Sequence, residues 1–102
     1  MTLEETIVAV WRQILLEGAA AAEVEGVKCP TQCTSTNRLW QVDFAFAGRR
    51  LRGIEQNPNT KSRWAAMARS GKRVMQFLEG GRHVAAVVNG KAIFYGKGKA
   101  AK

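Results

Sequence analysis

The sequence has few of the residues that enzymes use for catalysis. It contains one histidine, His83, one aspartate, Asp43, and two cysteines, Cys29 and Cys33. Five of its seven glutamates precede residue 26, which leaves little material for a catalytic carboxylate pair in the rest of the chain. Neither of the glycine-rich phosphate-binding motifs occurs. These scarcities predict a protein that is not an enzyme and that has no catalytic residues, no metal ion and no cofactor.

The segment Cys29-Pro-Thr-Gln-Cys33 is a C-x3-C pair. Structural zinc requires four Cys or His ligands, and the chain supplies only these two and His83 unless carboxylates or a second subunit complete the site. Redox catalysis uses C-x-x-C at the start of a helix, which this segment does not match. Two ordinary thiols in a turn are the favoured interpretation, and an adventitious or regulatory disulfide is the alternative.

Long apolar runs are also missing. No segment approaches the roughly 18 apolar residues of a membrane span, and Glu4 and Glu5 stand where a signal peptide would carry lysine or arginine. We therefore expect a cytoplasmic protein with no membrane partner.

A length of 102 residues is typical of one domain, which we expect to span residues 1–96. The Gly- and Lys-rich residues 97–102 predict a disordered basic tail.

Charge is distributed unevenly along the chain. The net charge is +8, but residues 1–25 hold five acids and one base, whereas residues 26–102 hold three acids and fifteen bases. The two parts therefore carry −4 and +12, which sum to +8. This asymmetry has two interpretations: the acidic segment neutralises one face of the basic part, or the basic part binds a polyanion.

The first element is an amphipathic helix. Thr2 and Glu5 form a capping box that predicts its start. It should end near Gly18, or one turn later if the alanines at 19–22 extend it. Its stripe either covers a sheet of the same chain or docks a second copy in a homodimer. The stripe consists of Ile7, Val8, Trp11, Ile14 and Leu15.

Alternation and turn residues predict the next elements. A short edge strand is expected at residues 27–29. Residues 40–46 and 49–56 should pair as a hairpin around a two-residue loop at Ala47-Gly48 or at Gly48-Arg49, with Arg52 available to Asp43 as a cross-strand partner. Asn57 is expected to cap a second helix that starts at Pro58, with Asn59 and Thr60 as alternative caps. That helix should bury Trp64, Met67 and Ala68 and end at Gly71, while the hairpin should bury Trp40, Val42, Phe44 and Phe46.

The last third predicts a three-stranded antiparallel meander over residues 74–95, with turns at Gly80-Gly81 and Asn89-Gly90. A two-residue Gly-Gly loop would place Leu78 opposite His83 and Phe77 opposite Val84. One face would then carry Met75, Phe77, Val84, Ile93 and Tyr95, and the other Val74, Leu78, Ala85, Val87 and Phe94. The predicted class is α+β, with five or six strands in a sheet or a partly open barrel.

The most informative segment for function is the basic block at residues 49–73. It holds eight Lys or Arg residues against one acid, Glu55. We expect these side chains to contact phosphates, with each arginine able to donate bidentate hydrogen bonds. The candidate nucleic-acid-binding residues are Arg49, Arg50, Arg52, Lys61, Arg63, Arg69, Lys72 and Arg73.

These residues predict a small non-enzymatic module that binds RNA or DNA with little sequence specificity. No signature of an RRM, a KH domain or a helix-turn-helix occurs. The alternative is a protein-interaction or accessory subunit that presents its basic face to an acidic protein. A solvated basic face without any such partner is the simplest explanation of the charge.

Overall fold

A computed structural model describes residues 1–35 and 38–95. The chain starts with α1 (Leu3–Trp11) and a π-helical segment (Arg12–Leu16). Four strands follow: β1 (Ala21–Val24), β2 (Val27–Cys33), β3 (Trp40–Phe46) and β4 (Arg49–Glu55). Then come α2 (Arg63–Arg69), β5 (Val74–Glu79), β6 (Arg82–Val88) and β7 (Lys91–Phe94). The predicted tail at residues 97–102 lies outside the described residues.

The seven strands form one antiparallel sheet in the order of the chain, β1 to β7. The predicted α+β class is confirmed, but the predicted number of strands, five or six, is wrong. The missing strand is β1, because the alanines at 19–22 do not extend the helix. Gly18 has φ +67 and ends the helical segment, and Ala22 and Val24 are buried in the sheet. Burial in the sheet has overridden the helix propensity of alanine.

One face of the sheet encloses α1. This helix contacts both edge strands, β1 and β7, as well as β4, β5 and β6. Since a helix is only about 10 Å across, the sheet must curl around it, and we call the enclosed side the concave face. The stripe of α1 is buried there except for the partly buried Val8. A second copy could therefore bind this stripe only by displacing the core.

The other side of the sheet, the convex face, carries α2. Trp64 packs on Val74, Ala86 and Val88, which alternate with the core residues of β5 and β6. The predicted start of this helix is wrong, because the cap is Ser62, whose Oγ accepts from Ala65 N at 3.1 Å. The side chain of Asn57 instead accepts from the backbone N–H of Asn59 in a tight turn. The predicted end is correct, since Gly71 follows the last turn with φ +101.

The pairing of β5 with β6 contains a β-bulge. Leu78 lies opposite His83, as predicted, and Glu79 opposite Arg82, but Phe77 lies opposite Ala85 and not Val84. Val84 is the additional residue, and from there onward the alternation of β6 is shifted by one. The predicted faces are therefore wrong from Ala85 onward, whereas Val84 packs on the side of Met75 and Phe77 as predicted. Ala85 and Val87 join Phe77 and Met75 in the concave core, whereas Ile93 and Tyr95 belong to the convex face.

Neither described helix is long and apolar enough to cross a lipid bilayer.

The β3–β4 hairpin forms with the register expected from a two-residue loop at Ala47-Gly48, which places Asp43 opposite Arg52 and Phe44 opposite Leu51. This hairpin and β5 bring part of the basic block onto the convex face. The face thus has α2 at one end and exposed strand residues at the other.

Candidate nucleic-acid interface

A row of side chains crosses the convex face at right angles to the strands. The register places Asp43 of β3 beside Arg52 of β4, Arg52 beside Leu78 of β5, and Leu78 beside His83 of β6. Tyr95 follows β7 at the end of the row, with its ring 5.9 Å from that of His83. Alternation in each strand thus produces a surface that combines charge and aromatic rings.

Two arginines of the basic block form two-point ion pairs. Arg52 donates from Nε to Asp43 Oδ1 at 2.7 Å and from Nη2 to Oδ2 at 3.3 Å. Arg49 donates from Nη2 and Nε to the two carboxylate oxygens of Glu79 at 2.7 and 3.1 Å. The hydrogen bond from Arg49 lowers the pKa of Glu79, and the bond to Asp43 raises the pKa of Arg52. Both arginines are therefore anchored.

A third and longer ion pair joins Arg73 Nη2 to Glu55 Oε2 at 3.7 Å. With Asp43 and Glu79, this pair occupies all three acids of residues 26–95. Residues 26–95 contain twelve Lys and Arg, so nine remain after these three pairs. The nine are Lys28, Arg38, Arg50, Lys61, Arg63, Arg69, Lys72, Arg82 and Lys91.

The other five acids all lie in residues 1–25. Within the described ranges, none of them forms an ion pair with the basic part. Glu4, Glu5 and Glu17 are exposed on the helical segments that the concave face encloses, on the opposite side of the sheet from α2. Direct pairing with the acidic first helix therefore does not neutralise the convex face.

The structure divides the eight candidate residues between two ends of β4. Arg49 and Arg50 lie at its start and Arg52 at its middle, whereas Arg73 pairs with Glu55 at its end, which is about 20 Å from Arg49 at the rise of a β-strand. Lys72 and Arg73 line a small groove of about 170 Å³ beside α2. The basic block is continuous in sequence but does not form one cluster in space.

Three candidate residues belong to α2 and the loop before it. Lys61 is exposed in that loop. Arg63 lies over the indole of Trp64, with 4.7 Å between its guanidinium carbon and the ring centre. Arg69 braces the loop, because its Nη1 donates to the carbonyls of Pro58 at 2.5 Å and Thr60 at 3.1 Å. Arg69 thus holds the loop in place, and Lys61 and Arg63 are the members of this group that face solvent.

A larger groove of about 590 Å³ opens at the start of β4. Arg50 and Arg52 line it together with Asp43, Leu78 and the Gly80-Gly81 turn. Arg50 is exposed, and no carboxylate among the described residues pairs with it. The groove therefore combines the unpaired guanidinium of Arg50, the ion pair of Arg52 with Asp43, and an apolar wall.

Sequence reasoning missed the ring cluster at the other end of the row. The Tyr95 ring meets the Trp64 ring edge to face at 6.5 Å and the exposed His83 ring at 5.9 Å. The sequence predicted Tyr95 on the opposite face, since it contained no signal for the bulge. Trp40, predicted to be buried, is 43% exposed, because it begins β3 opposite the exposed Cys33.

The two cysteines are free thiols, as favoured, but they lie in β2 and not in a turn. Their spacing on an extended strand separates them by about 13 Å, too far for a disulfide within the chain. Cys29 is buried, which raises the pKa of its thiol, and Cys33 is exposed. In the described part of the chain, no three His, Cys, Asp or Glu side chains gather as metal ligands.

Comparison with protein-family models, with curated proteins and with solved structures gives no match to this chain. The interpretation of its function therefore rests on the residues and geometry described above.

Proposed function

We propose that this protein is a small non-enzymatic module that binds nucleic acid through phosphate contacts on its convex face. The observation that carries the proposal is the separation of charge. The acids of residues 26–95 are all engaged in ion pairs, the other acids precede residue 26, and nine cations remain. A surface with an excess of cations attracts a polyanion and releases the counterions that the polyanion had condensed.

The two kinds of arginine have different roles in this proposal. Arg50, Lys61 and Arg63 supply the phosphate contacts, because they reach solvent without a carboxylate partner. Arg52 keeps its ion pair with Asp43 in the wall of the groove, and Arg49 is held outside it by Glu79. Contacts of this kind go to the backbone of the nucleic acid and carry no sequence information, so low sequence specificity is expected.

The test is fluorescence anisotropy of labelled RNA and DNA over roughly 50 to 200 mM salt. The slope of log affinity against log salt, divided by about 0.7 for single strands or 0.9 for duplex, gives the number of phosphates contacted. The double substitution Arg50→Gln/Lys61→Gln should lower the number of contacted phosphates, as calculated from the slope, by about two. The matched control Arg12→Gln/Arg82→Gln, which removes the same charge away from the convex face, should leave it unchanged.

The absence of binding at the lowest salt would refute the proposal. Equal losses in the two double variants would also contradict it, since they would mean that net charge alone is responsible. An acidic polypeptide of the same charge and length serves as a competitor. If it displaces the oligonucleotide at equal or lower concentration, the face is suited to an acidic protein instead.

A further inference from the structure

We propose that the convex face binds an unpaired strand, with a phosphate at Arg50 in the groove and a base against the rings of His83 and Tyr95. This inference rests on the nucleic-acid binding proposed above and specifies its substrate class. It depends on the groove and the ring cluster lying on the same face, at the two ends of one cross-strand row.

The groove provides a site for the backbone of such a strand. Its volume of about 590 Å³ is in the range of pockets that hold small ligands. The Arg50 guanidinium is available in it, whereas Arg52 is held by Asp43. Leu78 and the glycine turn complete the wall. One unpaired guanidinium, which can donate bidentate hydrogen bonds, in a partly apolar groove fits a single phosphodiester with its sugar.

The ring cluster provides a site for a base at a suitable distance. His83 lies two strands from Arg52 in the row, and Arg50 is two residues further along β4, so Arg50 and His83 are about 12 Å apart at the usual spacing and rise of strands. The His83 ring is exposed and is supported edge to face by Tyr95. Arg63 adds a cation beside these rings, over Trp64. Alternation of cations with aromatic faces is how proteins bind single strands without reading sequence.

The same arrangement is poorly suited to a duplex. Recognition of the bases of a duplex uses an element such as a helix or a two-stranded ribbon that fits the major groove. The only described helix on the convex face, α2, has seven residues and packs against the sheet through Trp64. In a duplex the bases are stacked and cannot turn toward His83, whereas an unpaired strand can present a phosphate and a base separately.

The experiment compares a labelled single-stranded 12-mer with the duplex of the same sequence, at one low salt concentration. We expect tighter binding of the single strand. His83→Ala should weaken it by about five- to a hundredfold, the usual range for the loss of one stacked base, without changing the salt slope. His83→Phe, which keeps a ring, should restore most of the affinity.

Two further variants separate the stacking contact from the phosphate contact. Arg50→Gln should reduce the salt slope of the single strand by about 0.7. Trp40→Ala removes an exposed aromatic ring that is not in the cluster and should leave affinity unchanged. Circular dichroism and thermal unfolding confirm that each variant is folded before its affinity is compared.

The outcomes distinguish this inference from the proposed function. If the duplex binds as tightly as the single strand, or if His83→Ala binds like the unmodified protein, the inference is wrong and the proposed function survives. If neither form of nucleic acid binds, both are wrong. Preference for the single strand with loss in His83→Ala and recovery in His83→Phe supports both.

Discussion

The hydroxyl of Tyr95 donates a 2.6 Å hydrogen bond to Oε1 of Gln76, which is buried under α2. Gln76 Nε2 donates in turn to Gln56 Oε1 at 2.7 Å. Gln56 Nε2 then donates to the carbonyl of Asn57 and to the hydroxyl of Thr60. This chain of hydrogen bonds joins the end of β7 to the loop that carries Lys61, and its central bond, between Gln76 and Gln56, is buried.

Replacing Tyr95 with phenylalanine should destabilise the protein by about 1–3 kcal/mol, because the Gln76 acceptor is left buried without its donor. Chemical denaturation at neutral pH measures the change. A control substitution at the exposed Ile93, Ile93→Thr, should cost less, since it removes no buried hydrogen bond. Equal losses of stability in the two variants would mean that the Tyr95 hydroxyl does not stabilise the fold.

Burial also raises the pKa of Tyr95 above its ordinary value. Above pH 10 the unfolded chain therefore loses this proton first, and the stability of the folded state falls as pH rises. We expect part of the alkaline loss of stability to disappear in Tyr95→Phe. Denaturation curves between pH 9 and 11, read with the tyrosinate absorbance, test this; identical alkaline profiles in the two proteins would contradict it.

Arg49 should govern the titration of Glu79. Because the hydrogen bond from Arg49 is the main cause of the lowered pKa of Glu79, Arg49→Gln should return that pKa toward its ordinary value. In the intact protein this pair stabilises the fold above the unfolded pKa, and the contribution is lost as pH falls through the folded pKa. A carboxyl NMR titration measures the shift, and Arg82→Gln should produce a smaller one.

Gly53 lies where β4 passes over the core. A Cβ added there would lie 2.9 Å from Phe77 Cε2 and 3.0 Å from Met75 Sδ, both on fully buried side chains. Gly53→Ala should therefore destabilise the protein by about 1–3 kcal/mol through overpacking. Denaturant unfolding tests this. Arg50→Ala on the same strand is a surface control and should change stability by less than about 0.5 kcal/mol.

The thiols should differ in reactivity. Burial raises the pKa of Cys29, which keeps it protonated and shielded, whereas Cys33 is exposed. A native thiol titration should show one fast and one slow thiol per chain. Cys33→Ser should remove the fast phase and Cys29→Ser the slow one. Two fast thiols would contradict the burial of Cys29.

Substitutions at the cap residue Ser62 test the start of α2. Ser62→Ala should cost about 1 kcal/mol, because it removes the side chain that caps the helix. Ser62→Asp keeps an acceptor at this position and should retain most of the stability. Thermal unfolding compares the two variants, and an unchanged midpoint in Ser62→Ala would show that the cap is not needed.

Local sequence signals predicted the elements whose cause is local. The capping box at Thr2 and Glu5, the Ala47-Gly48 loop and the Asn89-Gly90 turn all form as expected, because each depends on residues that are neighbours in the chain. The Ala47-Gly48 loop, one of the two predicted, sets the register that places Asp43 opposite Arg52. The predicted helix cap, Asn57 with Asn59 and Thr60 as alternatives, was wrong, because the side chain of Asn57 bonds to Asn59 in a turn and Ser62 caps the helix.

Tertiary contacts decided the rest. β1 forms from an alanine-rich segment because Ala22 and Val24 fill the core beside α1. The bulge at Val84 shifts Ala85, Val87 and Tyr95 to the faces opposite to those predicted. Neither feature has a local signal, because each is the response of the backbone to packing against residues far away in sequence.

The class of fold, the turns and the segregation of acids into the first 25 residues could be predicted from the sequence. The availability of each cation depends on the tertiary structure. Strand register pairs Arg49, Arg52 and Arg73 with carboxylates from other strands, and it places Arg50 and His83 on one face. Charge can be counted along a chain, but a charged surface depends on which side chains share a face and on which of them are already paired.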